Sequence, residues 1–330
     1  MGLRYIAKKI AEAIFLIFIV VTLNFFLIRF MPGDPVMHII GEDEYLRLES
    51  SAPEVIEEVR ASYQLDKSFF QQYTTYLWKT AHLDFGNSYR TKTPVLETVL
   101  FRMRWTLTLA IPATIIAGLL GALAGLAAGW RKQGWFDLTA SPFFLVFLTI
   151  PTYCLAIILL LIFAFKWGLF PIGGITSGGL TGFAKFVDVL KHMVLPISVI
   201  IFHKTASNYM LMKSTVALIK DESYISTAVS KGISERKVVG LHLLKNSLCT
   251  YITYICMQFG TILAGSMMVE IVFSWKGMGT LIYESVNAKD FPMLQTCFLF
   301  LAVCVVAFNL IADILCMLID PRIKEGLVNE

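Results

Sequence analysis

Charge is what this sequence has least of. Asp, Glu, Lys and Arg make up 16% of its 330 residues and hydrophobic residues 56%, against about 25% and roughly 45–50% in soluble domains. A chain so apolar cannot hide its side chains in one water-soluble core, because a surface must still be offered to solvent, and a bilayer removes that demand. The net charge of +4 is small and the basic residues form no run, which argues against a nucleic-acid partner. There is no Cys-x-x-Cys pair and no Cys/His spacing of the kind that holds a metal. The six cysteines (Cys154, Cys249, Cys256, Cys297, Cys304, Cys316) fall in or beside apolar stretches and read as small hydrophobic residues, with no disulfide framework implied. A Gly-x-x-x-x-Gly-Lys-Ser/Thr sequence to cradle phosphates is also missing; Gly125–Lys132 is glycine-rich but lacks that ending. No nucleophile–base pairing stands out. The chain is therefore read as having no catalytic residues, no metal and no cofactor of its own.

What it has is length of apolar run. A membrane-crossing helix needs about 20 mostly apolar residues, at about 1.5 Å rise across roughly 30 Å of hydrocarbon. Six stretches qualify: 10–30, 105–129, 142–165, 192–213, 249–273 and 294–319. The fourth is weakest, interrupted by His203, Lys204, Ser207 and Asn208. After the first comes Met31-Pro32-Gly33-Asp34-Pro35, with no small-residue cleavage site, so that stretch is expected to stay as an anchor. The expected fold class is all-α and polytopic, with six transmembrane helices.

Orientation follows from Lys and Arg in the short loops. With the N-terminus inside, the cytoplasmic side holds thirteen: Arg4, Lys8, Lys9, Arg131, Lys132, Lys213, Lys220, Lys231, Arg236, Lys237, Lys245, Arg322 and Lys324. The opposite side holds five: Lys166, Lys185, Lys191, Lys276 and Lys289. Both the N-terminus (1–9) and the tail (320–330) are thus expected in the cytoplasm.

Two loops exceed what a connector needs. Residues 31–104, on the outside, carry helix signals: Pro53 in a first turn before Val55, Ile56 and Val59, an aromatic stripe of Phe69, Phe70, Tyr73, Tyr76 and Leu77, and Thr93-Pro94 opening a helix into the second span. This segment is either a cap packed on the membrane face or a docking surface for an external partner. On the inside, 213–248 reads as two short helices with a tight elbow. Asp221 and Glu222 sit at a helix start, Tyr224, Ile225, Ala228 and Val229 make a narrow apolar face, Gly232 ends the helix, and Ser234 caps a second one from Glu235 to about Asn246. An apolar stripe ringed by charge marks either a protein interface or an amphipathic pair lying on lipid.

Here the residues resemble a family. Glu222-Ser223-Tyr224-Ile225-Ser226-Thr227-Ala228-Val229-Ser230-Lys231-Gly232 is similar to the EAA signature of ABC-importer permeases, in the variant of the dipeptide/oligopeptide/nickel branch, and continues as Ser234-Glu235-Arg236. Phe30 to Pro35, Leu83-Asp84-Phe85-Gly86-Asn87-Ser88, His192-Met193-Val194-Leu195-Pro196, Glu270 to Gly279 and Asp320-Pro321-Arg322 resemble further motifs of that branch, in its order. Ser226 and Thr227 stand for the Glu-Ala of the general motif, and Lys276 for a common Pro.

The resemblance implies a permease core over 105–319 whose loop 213–248 docks on a cytoplasmic ATPase. Glu222, Tyr224, Thr227, Ala228, Lys231, Gly232 and Ser234 would be the coupling residues, with Tyr224 and Ala228 facing the ATPase. It further implies a second, homologous permease, two ATPase subunits that bind ATP and Mg, an external substrate-binding protein, and a place among the lipids of a bacterial or archaeal inner membrane. Peptides are the expected cargo, with nickel or another small solute as the alternative. An ion-coupled secondary transporter would instead show buried carboxylates at the midplane and an inverted repeat, and neither is detected.

Ionisable groups inside spans point to a pathway or to internal pairing. Lys204 and Asn208 are the candidates at mid-span, and Glu270 and Trp275 at the outer mouth, where gating and loop anchoring both fit Glu270. Asp313 and Asn309 are expected to hold helices together. Gly121, Gly125 and Gly129 form a small-residue face for packing against a helix that the sequence does not identify.

Overall fold

A computed structural model describes residues 2–30 and 34–319; Met31 to Gly33 and the Asp320-Pro321-Arg322 motif lie outside them. Among the described residues the regular structure is helical, apart from one isolated antiparallel bridge, Asn87–Pro94. The first long helix, α1 (Gly2–Arg29), is followed by α2 (Pro35–Ile40), α3 (Glu42–Ser51), α4 (Pro53–Ser62) and α5 (Phe69–Ala81). Pro53 occupies the first turn of α4, and α5 opens on a capping box between Ser68 and Gln71. The aromatic stripe faces α1: Phe25 meets Phe69, Tyr73 and Tyr76 at ring-centroid distances of 5.3, 5.2 and 5.5 Å. A second tie runs to the last helix, where Asp290 accepts from the Ser88 hydroxyl and from the Tyr89 amide at 3.2 Å. This segment thus packs on α1 and on the start of the last helix, and α5 leaves Phe70 and Trp78 exposed.

The core is built by α6 (Val95–Trp130), α7 (Trp135–Thr149), α8 (Thr152–Leu159, continuing as a π turn over Leu160–Lys166), α9 (Gly182–Lys220), α10 (Ser223–Ser230), α11 (Glu235–Lys237, continuing as a π turn over Val238–Leu244), α12 (Lys245–Gly265), α13 (Met267–Val272), α14 (Met278–Asn287) and α15 (Phe291–Ile319). Among the described residues, four helices are by themselves long and apolar enough to cross a bilayer: Ile6–Leu27, Val95–Trp130, Gly182–Lys220 and Phe291–Met317. A fifth crossing is available if α7 and α8 count as one, although they meet at 98°. The stretch 142–165, expected as one span, breaks there because Pro151 removes a helix N–H and drives Ile150 to extended backbone (φ −75°, ψ 121°). The stretch 249–273 falls on α12 and α13, interrupted at Ser266.

Among the described residues α6 and α9 share the most extensive helix–helix contact, and the glycine face lets their backbones meet. A Cβ on Gly125 would stand 2.7 Å from the Tyr209 carbonyl oxygen, and one on Gly129 2.7 Å from that of Lys213. Only hydrogen fits between these backbones. At the other edge, α1 is held to α15 by Lys9–Asp313 at 3.1 Å. Asn24 and Gln295 add a reciprocal pair in which each amide donates to the other's carbonyl, at 3.3 and 3.2 Å. Asp313 therefore joins helices, as expected.

Candidate functional site

The chain leaves α9 at Lys220 and turns at once into α10, with Glu222 at the N-cap in extended backbone (φ −72°, ψ 144°) and no side-chain cap bond. α10 stops abruptly. Gly232 takes φ +75°, its N–H donates to the Val229 carbonyl at 2.9 Å, and the Ile233 N–H donates to that of Ala228 at 3.3 Å. This paired closure needs a left-handed residue, which glycine adopts without steric cost. The Lys231 N–H adds a bond to the Thr227 carbonyl at 3.0 Å, and the Thr227 hydroxyl turns back on Ser223. The C-terminal end of this short helix is thus tied to itself.

Its inner face, Ile225 and Ala228, packs on α9 and the π turn and joins a buried cluster with Met212 and Val216 of α9, Val238 and Leu243 of the π turn, and Tyr251 of α12. Its outer face shows Tyr224, 42% exposed, and Val229, 53% exposed; the Tyr224 hydroxyl accepts from the Asn246 amide at 2.9 Å. Ala228, expected to face outward beside Tyr224, is 7% exposed and faces inward. Around a helix it lies about 40° from Tyr224 and about 60° from Ile225, so spacing leaves its side open and the docking angle of α10 decides it.

Ser234 does occupy an N-cap position, its carbonyl accepting the Val238 N–H at 3.0 Å, but its side chain makes no cap bond. The separate second helix ending near Asn246 is corrected: Lys245 keeps right-handed backbone (φ −58°, ψ −43°) and the π turn runs straight into α12. Glu235 bonds the Trp130 indole N–H and the Arg131 guanidinium, the latter at 3.3 Å. These two donors, the indole first, hold its carboxyl below the usual carboxylate range and tie the loop to the end of α6.

Two buried polar groups back this surface. At the α7–α9 contact, Lys213 pairs with Asp137 and donates to Ser141 at 2.8 Å. Ser141 donates to the same carboxylate oxygen at 2.8 Å, and the Tyr209 hydroxyl reaches it at 3.3 Å. The Gln133 N–H occupies the other oxygen at 3.0 Å. Deeper in, Asn208 and Gln258 exchange amide bonds at 3.4 and 3.2 Å between α9 and α12. Sequence reasoning missed Asp137, Ser141, Tyr209 and Gln258. The available signal was Asp137 itself, a carboxylate opening an apolar stretch, which must find a cation when buried.

At the outer end, Glu270 is fully buried. Its carboxylate accepts from the hydroxyls of Thr106 and Ser266 at 2.7 and 3.1 Å and from the Thr280 N–H at 3.1 Å. Trp275, also fully buried, donates its indole N–H to the Trp105 carbonyl at 3.0 Å and meets that ring edge-on at 5.7 Å. Asn208, Glu270 and Trp275, expected to line a pathway or gate, are enclosed by their own chain, where each has hydrogen-bond partners. Lys204 is half-buried midway along α9, one turn before Asn208 on the same helix.

Comparison with known proteins extends these findings. Residues 99–325 match the family model described as binding-protein-dependent transport system inner membrane component, and residues 2–110 match the model of the N-terminal part of such membrane components. The dipeptide transport system permease protein DppB of Escherichia coli K12 is 30% identical over 342 aligned positions, covering 98% of this chain and 99% of that one. The di/tripeptide transport system permease protein DppB of Pseudomonas aeruginosa is 31% identical over 339, with the same coverage. Among solved structures, a chain of the MetNI methionine ABC transporter in an inward-facing conformation superposes with a TM-score of 0.54 at 14% identity, over 69% of this chain and 98% of that chain. At that identity the likeness speaks to fold.

Proposed function

The chain belongs to the family of binding-protein-dependent transport system inner membrane components, and from that premise we propose that it is one of two permeases forming the pathway of a di- or oligopeptide importer. It is a transport subunit, not an enzyme. In this reading the chain crosses an inner membrane six times, with both termini in the cytoplasm, and the bent α7–α8 pair and α12–α13 supply the crossings that four straight helices do not. A homologous permease completes the pathway. Two ATPase subunits bind ATP and Mg and press on α10, and an external binding protein delivers the cargo above the cap, where α5 exposes Phe70 and Trp78. ATP-driven closure of the ATPases then switches the side to which the pathway opens, and Lys204 is kept as its candidate lining residue.

The observation that carries the coupling assignment is the construction of α10. Its C-terminal end is closed on itself, its inner face packs on α9 and the π turn, and its outer face offers one aromatic anchor to the cytoplasm. A helix held this way passes on a push instead of absorbing it, and binding energy at interfaces concentrates in such buried-on-contact anchors. With Ala228 turned inward, the contact falls to Tyr224 and Val229, framed by Glu222 and Lys231. The test is to replace Tyr224 by Ala and measure how much ATPase subunit co-purifies with the membrane complex. Loss of the ATPase is expected; full retention together with unchanged uptake would reject the assignment.

A further inference from the structure

α9 makes two contacts at one level near its cytoplasmic end. Met212 and Val216 lie under Ile225 and Ala228 of α10, while Tyr209 and Lys213 meet Asp137 and Ser141 at the start of α7. Each pair is one helical turn apart, and the two pairs interleave along the same two turns. On a third side the Gly125–Gly129 face of α6 touches the backbone of those same turns, so this part of α9 has no room to roll about its axis. Beyond α9 the next element in line from α10 is α7, the first limb of the pair bent at 98°.

The α7 joint is ionic where it need not be. Asp137 is 6% exposed, and apolar residues in place of a buried ion pair are commonly as stable or more so. What apolar packing lacks is register: two greasy faces slide, whereas an ammonium shared by a carboxylate and a serine hydroxyl, with a tyrosine hydroxyl on the same oxygen, fixes both height and direction. The Gln133 amide on the second oxygen extends the same hold to the α6–α7 turn.

We propose that Asp137 and Lys213 are positioning residues of the transport cycle, an electrostatic joint that makes the α7 limb follow α9 when force arrives at α10, with Ser141 and Tyr209 setting its geometry. The proposal rests on the reading of α10 as the ATPase contact.

The test uses the full transporter in lipid nanodiscs, on a background lacking the native cysteines. Spin labels are placed at exposed Thr139 of α7 and exposed Val229 of α10, and each is measured by pulsed electron-spin resonance against a reference label at Thr74 of α5, with and without ATP. In the parent, ATP is expected to shift both distance distributions. In Asp137→Asn and in Lys213→Met the Val229 shift persists and the Thr139 shift is lost, while exchanging the charges (Asp137→Lys with Lys213→Asp) restores it. Should those variants fail to assemble, Ser141→Ala and Tyr209→Phe remove only hydroxyls and are expected to broaden the Thr139 distribution alone. A Thr139 shift unaltered in every variant, or absent from the parent while Val229 moves, overturns the proposal. A Val229 label unmoved by ATP in the parent, or ATPase retained in full by Tyr224→Ala, points instead to failure of the α10 reading.

Discussion

Gly232 offers a clean perturbation, because a side chain built there meets nothing within 4 Å. Any effect of substitution must come from backbone conformation, φ +75°, and not from a clash. A non-glycine L-residue in the left-handed region costs roughly 1–2 kcal/mol, with Asn the best tolerated and β-branched residues the worst. If the turn relaxes to escape that cost, the two closing bonds from Gly232 and Ile233 are lost, each worth about 0.5–1.5 kcal/mol net. The turn is thus expected to lose about 1–2 kcal/mol in Gly232→Ala, a factor of about 5–30 in the closed-to-open ratio, with Gly232→Asn milder and Gly232→Val more severe. Hydrogen exchange at the Gly232 and Ile233 amides reads the turn directly, and co-purification of ATPase subunits reads its consequence. Equal protection in the Asn, Ala and Val variants would refute the reasoning, since only the left-handed requirement distinguishes them.

Other outcomes follow from the buried polar groups. Asn208→Leu and Gln258→Leu, made singly, each remove one side of the buried amide exchange and are expected to cost about 1–3 kcal/mol. The double variant should cost less than the sum, and additive melting-temperature losses in a double-mutant cycle would contradict the pairing. Glu270→Ala strands three donors around an empty site and should lower the melting temperature and expose 274–280 to exchange, whereas Glu270→Gln, which still accepts, should be milder; equal losses would argue against the anchoring role. Glu235 gives a pH signature. Its carboxyl lies below the ordinary value of 4.5, so its hold on the loop is complete above that value and fades as pH falls through the depressed one. Limited proteolysis of 222–244 should distinguish Glu235→Gln from the parent at neutral pH and converge with it in acid; a difference that widened on acidification would be inconsistent with the bonds to Trp130 and Arg131.

How much was legible can be argued element by element. Pro53 and Gly232 each act within a few residues of themselves, and each produced the helix start or stop expected of it; of the α5 stripe, Phe69, Tyr73 and Tyr76 meet Phe25 while Phe70 stays exposed. Long apolar runs likewise imposed helices, because in hydrocarbon the backbone must satisfy its own polar groups. The run at 142–165 was read too simply: Pro151 was in plain view, but hydropathy averages over the very residue that bends the chain.

By itself, the sequence determined an all-helical membrane chain, its family, and a short helix closed by glycine after α9, since all of these rest on local chemistry or on residue order. Only the tertiary structure decided which way Ala228 faces, which helix the Gly121–Gly129 face meets, and that Asn208, Glu270 and Trp275 are enclosed by their own chain. It alone brought Asp137 and Lys213 together from two helices. The reason is physical: a residue's side of a helix follows from its neighbours along the chain only to within tens of degrees, and the partner that satisfies a buried polar group lies far off in sequence.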